Sequence, residues 1–302
     1  MAISSGSTST YIIAEIGSCH DGQLDRARNL MYLAKEAGAS AAKFQLFRAD
    51  SLARQRNAQD YWHIYKAFEL PDWWLGILLD DARDLGIDFM CTAYDAWGLE
   101  TVTPFVARYK VASFEAAAYG LLAAVRLAAE KHHKGVVLST GMTTQDEVRR
   151  AVDVLGVSNL DYLLHCVSAY PCPPDALNLR AMQTLMAAFP GIPVGLSDHT
   201  LSIAAPVAAV ALGAQCIEKH MTDDRQRVGP DHAFAIQPAE FRLMVNLIHD
   251  VEMGMGDGVK APQAPEQDMM RYRVVSQQGV AQPAHSFVHP SGTLEKKRDN
   301  QD

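Results

Sequence analysis

The sequence lacks several features that would place the protein in a membrane, outside the cell or on a nucleic acid. None of its apolar runs approaches the roughly 20 residues that a membrane-spanning helix needs. The first ten residues have no basic segment followed by an apolar stretch, so a secretory signal is not expected. The formal net charge of −8 disfavours a nucleic-acid-binding surface, which requires clustered Lys and Arg. We therefore expect a cytoplasmic protein with neither membrane nor nucleic acid as a partner.

Cysteine is scarce and shows no pairing pattern. The five cysteines are odd in number and form no Cys-x-x-Cys spacing, so neither a disulfide framework nor a structural zinc site is expected. Three of them fall in or at the ends of predicted strands, where a reduced thiol serves as a small apolar side chain. The positions are Cys19, Cys91, Cys166, Cys172 and Cys216.

Strand-like apolar runs alternate with segments of helical periodicity up to about residue 253. Eight such pairs follow one another, and the strands must be parallel because a crossover helix follows each. No Gly-x-Gly-x-x-Gly motif follows a strand, which disfavours a doubly wound dinucleotide-binding sheet. Thr144 and Glu147 form a capping-box pattern for the fifth helix of the eight pairs, which Gly156 ends. We predict an α/β protein that folds as a single (β/α)8 TIM barrel.

The character of the sequence changes after the eighth pair. The run Lys260-Ala-Pro-Gln-Ala-Pro-Glu resembles a linker, and the polar segment 292–302 is typical of a loose tail. Too few residues remain for a second folded domain. We therefore predict a catalytic barrel over residues 1–258 and an irregular C-terminal extension with a flexible tail over residues 259–302.

Polar or ionisable side chains stand at the ends of most predicted strands. In a TIM barrel these carboxyl ends converge on one rim, where the active site lies, whereas the opposite rim supports stability. Lys, Glu and His are rarely buried without a partner, so their repetition at corresponding positions favours a site. The strand-end residues are Glu15, Lys43, Gln45, Lys110, Ser113, Ser139, His165, Ser197, His199, Glu218 and His220.

Part of this rim suits a dianionic phosphate group. Two lysines and several hydroxyls are the groups that hold such an anion, and the glycine in Ser139-Thr-Gly-Met lets backbone amides approach it closely. The candidate binders are Lys43, Lys110, Ser113, Ser139 and Ser197. A Schiff-base lysine is the alternative role for Lys43 or Lys110.

His199 and His220 end neighbouring strands, so their side chains are expected to meet across about one strand spacing. Two imidazoles with open water positions suit Mn²⁺, Fe²⁺ or Co²⁺ acting as a Lewis acid. Glu218 precedes His220 by two residues and therefore points to the same face, as a further ligand or as a partner of a ligand.

Eight short strings, in order, resemble the phosphoenolpyruvate-dependent sialic acid synthase family, which makes N-acetylneuraminate and related acids. The likeness runs from about residue 11 to residue 275. Its strings are Ile-Ala-Glu15-Ile-Gly, Lys43-Phe-Gln45, Lys110-Val-Ala-Ser113-Phe-Glu115, Leu-Ser139-Thr-Gly-Met, Leu-Leu-His165-Cys-Val-Ser168-Ala-Tyr170-Pro, Gly-Leu-Ser197-Asp198-His199-Thr200, Ile-Glu218-Lys-His220 and Gly229-Pro-Asp231-His.

The resemblance implies condensation of phosphoenolpyruvate with an open-chain aldose, usually an N-acetylated amino sugar, to a 2-keto-3-deoxy sugar acid and phosphate. It implies a divalent metal on His199 and His220, with Mn²⁺ as the first choice and Mg²⁺ or Co²⁺ as alternatives, and acid–base chemistry at Glu15. It also implies a homodimer. Phosphoenolpyruvate would contact Lys43, Thr92, Lys110, Ser113, Ser139, Ser168 and Ser197, and the sugar would contact Gln45, Glu115, Tyr170 and Asp231.

The sequence departs from the family pattern at three places. Cys19 stands where the first motif usually has Asn, and Ser168 stands where the strand-six loop usually has Asn. Bacterial members also carry a C-terminal antifreeze-like domain that supplies an arginine to the partner subunit's sugar site, and the chain as given stops short of one. The aromatic-rich stretch 48–70, expected to be irregular, could provide another cover. A non-catalytic barrel that binds phosphosugars stays open as an alternative function.

Overall fold

The computed structural model describes residues 9–275 and shows a closed barrel of eight parallel strands in sequence order. The predicted (β/α)8 fold is therefore confirmed. The strands are β1 Tyr11–Glu15, β2 Ala41–Leu46, β3 Asp88–Ala93, β4 Tyr109–Val111, β5 Val136–Ser139, β6 Leu160–Cys166, β7 Val194–Asp198 and β8 Cys216–His220.

Eight of the helices occupy the predicted crossovers, and the capping box at Thr144 and Glu147 is formed as expected. The other two, α2 and α3, lie in the stretch 48–70 that was expected to be irregular; at seven and six residues they are too short for a helical period to be evident in the sequence. The helices are α1 Leu24–Glu36, α2 Ala49–Gln55, α3 Trp62–Ala67, α4 Trp74–Leu85, α5 Ala96–Val102, α6 Tyr119–His132, α7 Gln145–Leu155, α8 Arg180–Ala188, α9 Ala204–Ala211 and α10 Pro238–Gly254.

The barrel interior is layered, since alternate residues of each strand point inward. A middle layer of six fully buried apolar side chains separates two polar rims and closes the barrel to solvent. It comprises Ile13, Ala41, Met90, Val137, Leu164 and Cys216. Two residues further along β1, β2 and β8, the same inward face carries Glu15, Lys43 and Glu218, so strand alternation alone places these charges in one layer above the apolar one.

The chain divides into two compact units after Gly256, two residues before the predicted boundary. In the second unit, residues 257–275 form two short 3₁₀ turns, at Ala264–Glu266 and Met270–Tyr272. The predicted flexible tail, 292–302, lies outside the described residues. Within residues 9–275 no helix combines the length and apolar character that a membrane crossing demands.

Candidate active site

A cavity of about 330 Å³ opens at the carboxyl ends of the strands and gathers most of the predicted site residues. Glu15, Ser139 and His220 are the last residues of β1, β5 and β8, which explains why distant parts of the sequence meet here. The predicted residues that line the cavity are Glu15, Lys43, Gln45, Thr92, Lys110, Ser113, Ser139, Tyr170, Ser197, His199, Glu218, His220 and Asp231.

Two lysines and two carboxylates form the floor of this cavity. The Lys43 ammonium lies 2.5 Å from Oε2 of Glu15 and 3.7 Å from Oε2 of Glu218. The Lys110 ammonium lies 3.6 Å from Oε1 of Glu218. All four side chains are less than 7% exposed. Burying this many charges is costly unless they are paired or bind an external partner, so the cluster is typical of a functional centre.

The two carboxylates of the floor differ in proton affinity. Burial raises the pKa of Glu15 to about 7, against the opposing attraction of Lys43. Burial acts on Glu218 in the same direction, but Lys110 and Lys43 together outweigh it and lower its pKa to about 2. Glu15 can therefore exchange a proton near neutral pH, whereas Glu218 stays anionic and neutralises the lysines.

Hydroxyl groups surround the lysines. Lys110 donates to Oγ of Ser139 at 2.8 Å, and Lys43 donates to Oγ1 of Thr92 at 3.2 Å. The backbone N–H of Gly141 donates to Oγ of Ser113 at 3.0 Å, and a Cβ at Gly141 would lie 2.4 Å from Oγ of Ser168. A side chain at this position would press on the hydroxyls of Ser113 and Ser168, so glycine lets the loop after β5 approach these groups closely. The arrangement is a ready-made set of donors for an anion with several oxygens.

The two histidines lie side by side on the other flank, with ring centroids 5.4 Å apart. Nδ1 of His199 is 2.9 Å from the Val167 carbonyl, which favours a proton on Nδ1 and leaves Nε2 as a lone-pair donor. Nδ1 of His220 is buried, 4.0 Å from Asp231, and has no hydrogen-bond partner within residues 9–275. Burial lowers the pKa of His220 to about 4, so the ring is neutral at physiological pH.

These two imidazoles fit a divalent metal that takes its other ligands from water or substrate. Neutral rings and an unsatisfied buried nitrogen are what such a site requires. In the described part of the chain no set of three or more His, Cys, Asp and Glu side chains is grouped around a metal position. A closed structural site is therefore not formed there, and the pair would hold an ion with open positions.

Gln45, Tyr94 and Asp231 form the upper wall of the cavity. Gln45 donates to Oε1 of Glu15 at 2.6 Å and accepts from the Tyr94 hydroxyl at 2.9 Å. Asp231 accepts from both the backbone N–H and the hydroxyl of Ser18, each at 2.8 Å. Gly17 has φ +52°, and a Cβ there would lie 2.4 Å from the Asp231 carboxylate. Ser18 was not predicted as a site residue because no sequence motif or strand end marks it. It lines the cavity and holds the Asp231 carboxylate through a contact between residues far apart in the sequence.

The stretch 48–70, which we call the cover segment, contributes a wall to the cavity through Leu52, Arg56, Ile64, Tyr65 and Phe68. The sequence suggested that aromatic side chains of this stretch could cover the site, and Tyr65 and Phe68 do line the cavity. Tyr61 and Trp62 are instead exposed at 57% and 39%. Trp62 donates to Asp50 and does not line the cavity.

Three of the residues taken from the sequence do not line the cavity. Glu115 lies behind its wall, paired with Arg56 at 3.2 Å. Ser168 abuts Gly141, and its buried hydroxyl has no hydrogen-bond partner in the described residues. His165 directs Nε2 to the Leu177 carbonyl at 2.8 Å and so serves the packing around β6. The predicted substrate contacts of Glu115 and Ser168 stay predictions.

A buried ion pair behind the histidines was not foreseen. Lys219 alternates with Glu218 and His220 and therefore points out of the barrel, where it pairs with Asp198 at 2.6 Å; both side chains are fully buried. Asp198 also accepts from the N–H and the hydroxyl of Thr200, each at 3.0 Å. The pair thus fixes the turn that carries His199, between the ends of β7 and β8.

The fold and the site define a class: a (β/α)8-barrel enzyme with a buried lysine–carboxylate centre and a histidine pair at its carboxyl rim. Within that class, the chain belongs to the NeuB family, whose model matches residues 30–260. The resemblance drawn from the eight strings is confirmed, and the protein is a transferase-type enzyme of that family.

Individual relatives agree with this assignment. The chain is 40% identical to N,N'-diacetyllegionaminic acid synthase of Legionella pneumophila, over 85% of this chain and 76% of that protein. It is 33% identical to human N-acetylneuraminate-9-phosphate synthase, over 83% and 72%. The crystal structure of N-acetylneuraminic acid synthetase from Leptospira borgpetersenii, in complex with citrate, superposes with a TM-score of 0.80 at 32% identity, over 90% of this chain and 96% of that one.

Proposed function

We propose that the protein condenses phosphoenolpyruvate with an aldose, an N-acetylmannosamine-like amino sugar or a related sugar, to give a 2-keto-3-deoxy sugar acid and phosphate. The observation that carries the proposal is the floor of the cavity, where two buried lysines and their hydroxyl partners adjoin a carboxyl group that titrates near neutral pH. The names of the relatives, which are synthases of sialic, legionaminic and pseudaminic acids, support it.

Phosphoenolpyruvate would bind at the lysine side of the cavity. Lys43 and Lys110 neutralise its charges, and the layer of hydroxyls orients the phosphate and the carboxylate. Ser139 and Thr92 already accept hydrogen bonds from the lysines, so the ammonium groups are held in place before the substrate arrives. The proposed contacts are Lys43, Thr92, Lys110, Ser113, Ser139, Ser168 and Ser197.

The reaction would proceed by attack of C3 of phosphoenolpyruvate on the aldehyde carbon, whose oxygen takes the proton of the Glu15 carboxyl group as the new C–C bond forms. The positive charge left at C2 is stabilised by the Glu15 carboxylate. A water adds to C2 and gives its proton to Glu15, whose raised pKa suits that transfer. Cleavage of the bond between C2 and the phosphate oxygen then expels phosphate, which takes the proton of the C2 hydroxyl and so leaves the keto group.

His199 and His220 would hold a divalent metal, Mn²⁺ in the first instance. Bound there, the ion supplies Lewis acidity toward the aldehyde oxygen. Gln45, Tyr170 and Asp231 line the adjoining space and would orient the sugar hydroxyls, so that the aldehyde carbon meets C3 of the donor.

The alternative function is a Schiff-base aldolase, for which the protonation of the two lysines is relevant. Burial lowers the pKa of Lys110, which favours a neutral, nucleophilic amine. Burial acts in the same direction on Lys43, but Glu15 and Glu218 outweigh it and raise that pKa, which keeps the amine protonated. Treatment with borohydride in the presence of pyruvate, followed by intact mass, distinguishes the two: a covalent adduct would contradict the condensation mechanism.

Phosphate release is the direct test. Purified protein with Mn²⁺ and phosphoenolpyruvate should release phosphate only when an aldose is added, and the product mass should equal that of the sugar plus a pyruvate unit. Failure to release phosphate with a panel of aldoses and amino sugars would refute the proposal and favour a non-catalytic phosphosugar-binding barrel.

Metal binding is testable without turnover. Titration of Mn²⁺ followed by electron paramagnetic resonance should show one site, and His220→Ala should weaken it by at least about tenfold. His249→Ala, on the exposed side of α10, is the matched control and should bind normally. Equal Mn²⁺ affinity in both variants would place the metal elsewhere.

We further propose a cytoplasmic location and a homodimer. The five cysteines are buried free thiols, as a reducing compartment allows. The homodimer has the family resemblance as its support, and sedimentation of the purified protein would test it.

A further inference from the structure

The last of the eight strings, Gly229-Pro-Asp231-His, contains a histidine that has no role in the chemistry above. His232 follows Asp231 directly and is fully buried. Its neighbours Pro230, Asp231 and Phe234 line the cavity, whereas His232 does not. His232 therefore lies behind the segment 230–234, whose front forms part of the cavity wall.

Both ring nitrogens of His232 are engaged inside the protein. Nε2 lies 2.8 Å from Oδ1 of Asp21, and Nδ1 lies 2.7 Å from Oγ1 of Thr222. A carboxylate only accepts hydrogen bonds, so Nε2 donates to Asp21 and carries the proton. With Nδ1 facing the Thr222 hydroxyl, neither nitrogen is left for a metal or a substrate. The ring is thus held at two points and can in turn hold the segment that carries it.

The contact between Asp21 and His232 crosses the seam at which the barrel closes. Asp21 lies in the loop after β1, and Thr222 and His232 lie in the stretch after β8, the strand that pairs with β1. The same β1 loop holds Asp231 through the backbone N–H and the hydroxyl of Ser18, and both hydrogen bonds end on Oδ2. The segment 230–234 is therefore fastened at its front through Asp231 and at its back through His232.

One oxygen of the Asp231 carboxylate is left for a ligand. Oδ2 takes both hydrogen bonds from Ser18, and no donor between residues 9 and 275 reaches Oδ1. Because Asp231 lines the cavity, Oδ1 can accept a hydrogen bond from a hydroxyl or amide of a molecule bound there. The direction of that acceptor depends on the placement of the segment 230–234.

The backbone on both sides of the contact is closely fitted. A Cβ at Gly229 would lie 2.7 Å from Cδ2 of His232, so the chain before Asp231 folds tightly over the ring. Asp21 has φ +52°, a conformation that Asp and Asn adopt more readily than other non-glycine residues. Asn and Gly are therefore the substitutions at residue 21 that leave the backbone unstrained.

We propose that the Asp21–His232 contact is a positioning device for Asp231, which sets its free carboxylate oxygen against the acceptor sugar. This inference rests on the proposed condensation. Asp21 and His232 touch neither substrate in this role and are positioning residues. Lys43 and Lys110 lie on β2 and β4, which the contact does not join, so binding of phosphoenolpyruvate should not depend on it.

A pair of variants at residue 21 tests the inference. KM for N-acetylmannosamine, or for the aldose that the wild type uses best, and KM for phosphoenolpyruvate are measured at a temperature where each variant is folded. Asp21→Gly removes the carboxylate and should raise KM for the sugar about tenfold, with KM for phosphoenolpyruvate within about twofold of the wild type. Asp21→Asn keeps an oxygen acceptor for Nε2 of His232 and should stay within about threefold in both constants.

His232→Leu removes the same contact from the other side. It should raise KM for the sugar as Asp21→Gly does, and the double variant should show no larger rise than either single variant, because only one contact is lost. Arg227→Met is the matched control: Arg227 also pairs with Asp21, at 3.2 Å, but its side chain is 43% exposed and does not line the cavity. It should match the wild type in both constants.

Each contrary result is decisive. An unchanged KM for the sugar in Asp21→Gly would overturn the inference and leave the condensation intact. An equal rise of both KM values would also overturn it, since the contact would then only brace the rim of the barrel. Additive effects in the double variant would show that the two residues act separately, with the same consequence. If His232→Leu does not fold, the variants at residue 21 decide alone. Absence of phosphate release by the wild type with the whole aldose panel would instead remove the proposed function and with it this inference.

Discussion

The two ends of the barrel both carry clusters of charged side chains, but the clusters are satisfied to different degrees. At the amino-terminal rim, Arg108 donates to Asp88 at 2.6 Å and to Asp161 at 2.8 Å, and the Tyr11 hydroxyl donates to Asp88 at 2.6 Å. The guanidinium also lies 4.5 Å over the Tyr11 ring. This cluster is partly exposed, with the Arg108 side chain 27% accessible, and its charged groups are paired with one another.

At the carboxyl rim the charges are buried more deeply and are less completely paired. Oε2 of Glu218 and Nδ1 of His220 have no hydrogen-bond partner within the region the structure describes, and Lys43 has two carboxylates near it with a single close contact. Folding gains nothing from buried groups left unsatisfied. We conclude that the cluster at the amino-terminal rim (the lower rim) stabilises the closed barrel. The cluster at the carboxyl rim (the upper rim) has unsatisfied groups that a bound molecule could satisfy.

The largest effect is expected from the upper rim. Glu15→Gln removes the group that exchanges a proton, so kcat should fall about 10²–10⁴-fold. The free energy of unfolding should also fall, by about 3–5 kcal/mol, because the variant takes away the carboxylate that lies 2.5 Å from the buried Lys43 ammonium. Phosphate release and urea unfolding measure the two. Glu100→Gln, on the exposed side of α5, should leave both unchanged.

The apolar layer between the rims should matter for stability alone. Leu164→Ala leaves a cavity in the fully buried layer and should lower the free energy of unfolding by about 2–5 kcal/mol. Urea denaturation checks this, with Leu243→Ala as the control, since Leu243 is 51% exposed on α10. A loss below about 1 kcal/mol would show that the layer does not carry the packing assigned to it.

Substitutions at the amino-terminal rim should lower the free energy of unfolding without changing the kinetic constants. Arg108→Met removes both ion pairs and should cost about 1–2 kcal/mol in unfolding free energy, a range reduced for solvent screening at these partly exposed groups. KM for phosphoenolpyruvate and kcat should stay at wild-type values. A change in either constant at a temperature where the variant is folded would contradict the division between the rims.

The smallest effect is expected from a single hydroxyl of the anion site. Ser139→Ala removes the acceptor of the Lys110 hydrogen bond and should raise KM for phosphoenolpyruvate about tenfold, with little change in stability. Ser158→Ala, at an exposed position after α7, is the control. A rise in KM for the sugar instead would mean that Ser139 lies in the sugar-binding side of the cavity and not in the phosphoenolpyruvate-binding side.

Much of the site was accessible from the sequence because strand alternation and strand ends determine it. Glu15, Lys43 and Glu218 lie on the inward face by periodicity. His220 ends β8 and His199 directly follows the neighbouring β7, close to where the sequence placed them. Arg56 and Ser18 were not accessible in this way. Neither stands at a strand end, and their positions follow from the fold of the cover segment and from the contact between Ser18 and Asp231.

The sequence by itself determined the (β/α)8 barrel, the family and the polar rim, because period, order and strand-end chemistry are local properties of the chain. The tertiary structure alone decided which carboxylate holds its proton near pH 7, since that depends on Glu15 facing one lysine while Glu218 faces two. It also decided that Glu115 lies behind the cavity wall with Arg56 in front. Distances between residues far apart in sequence set the electrostatics, and these arise only when the barrel closes.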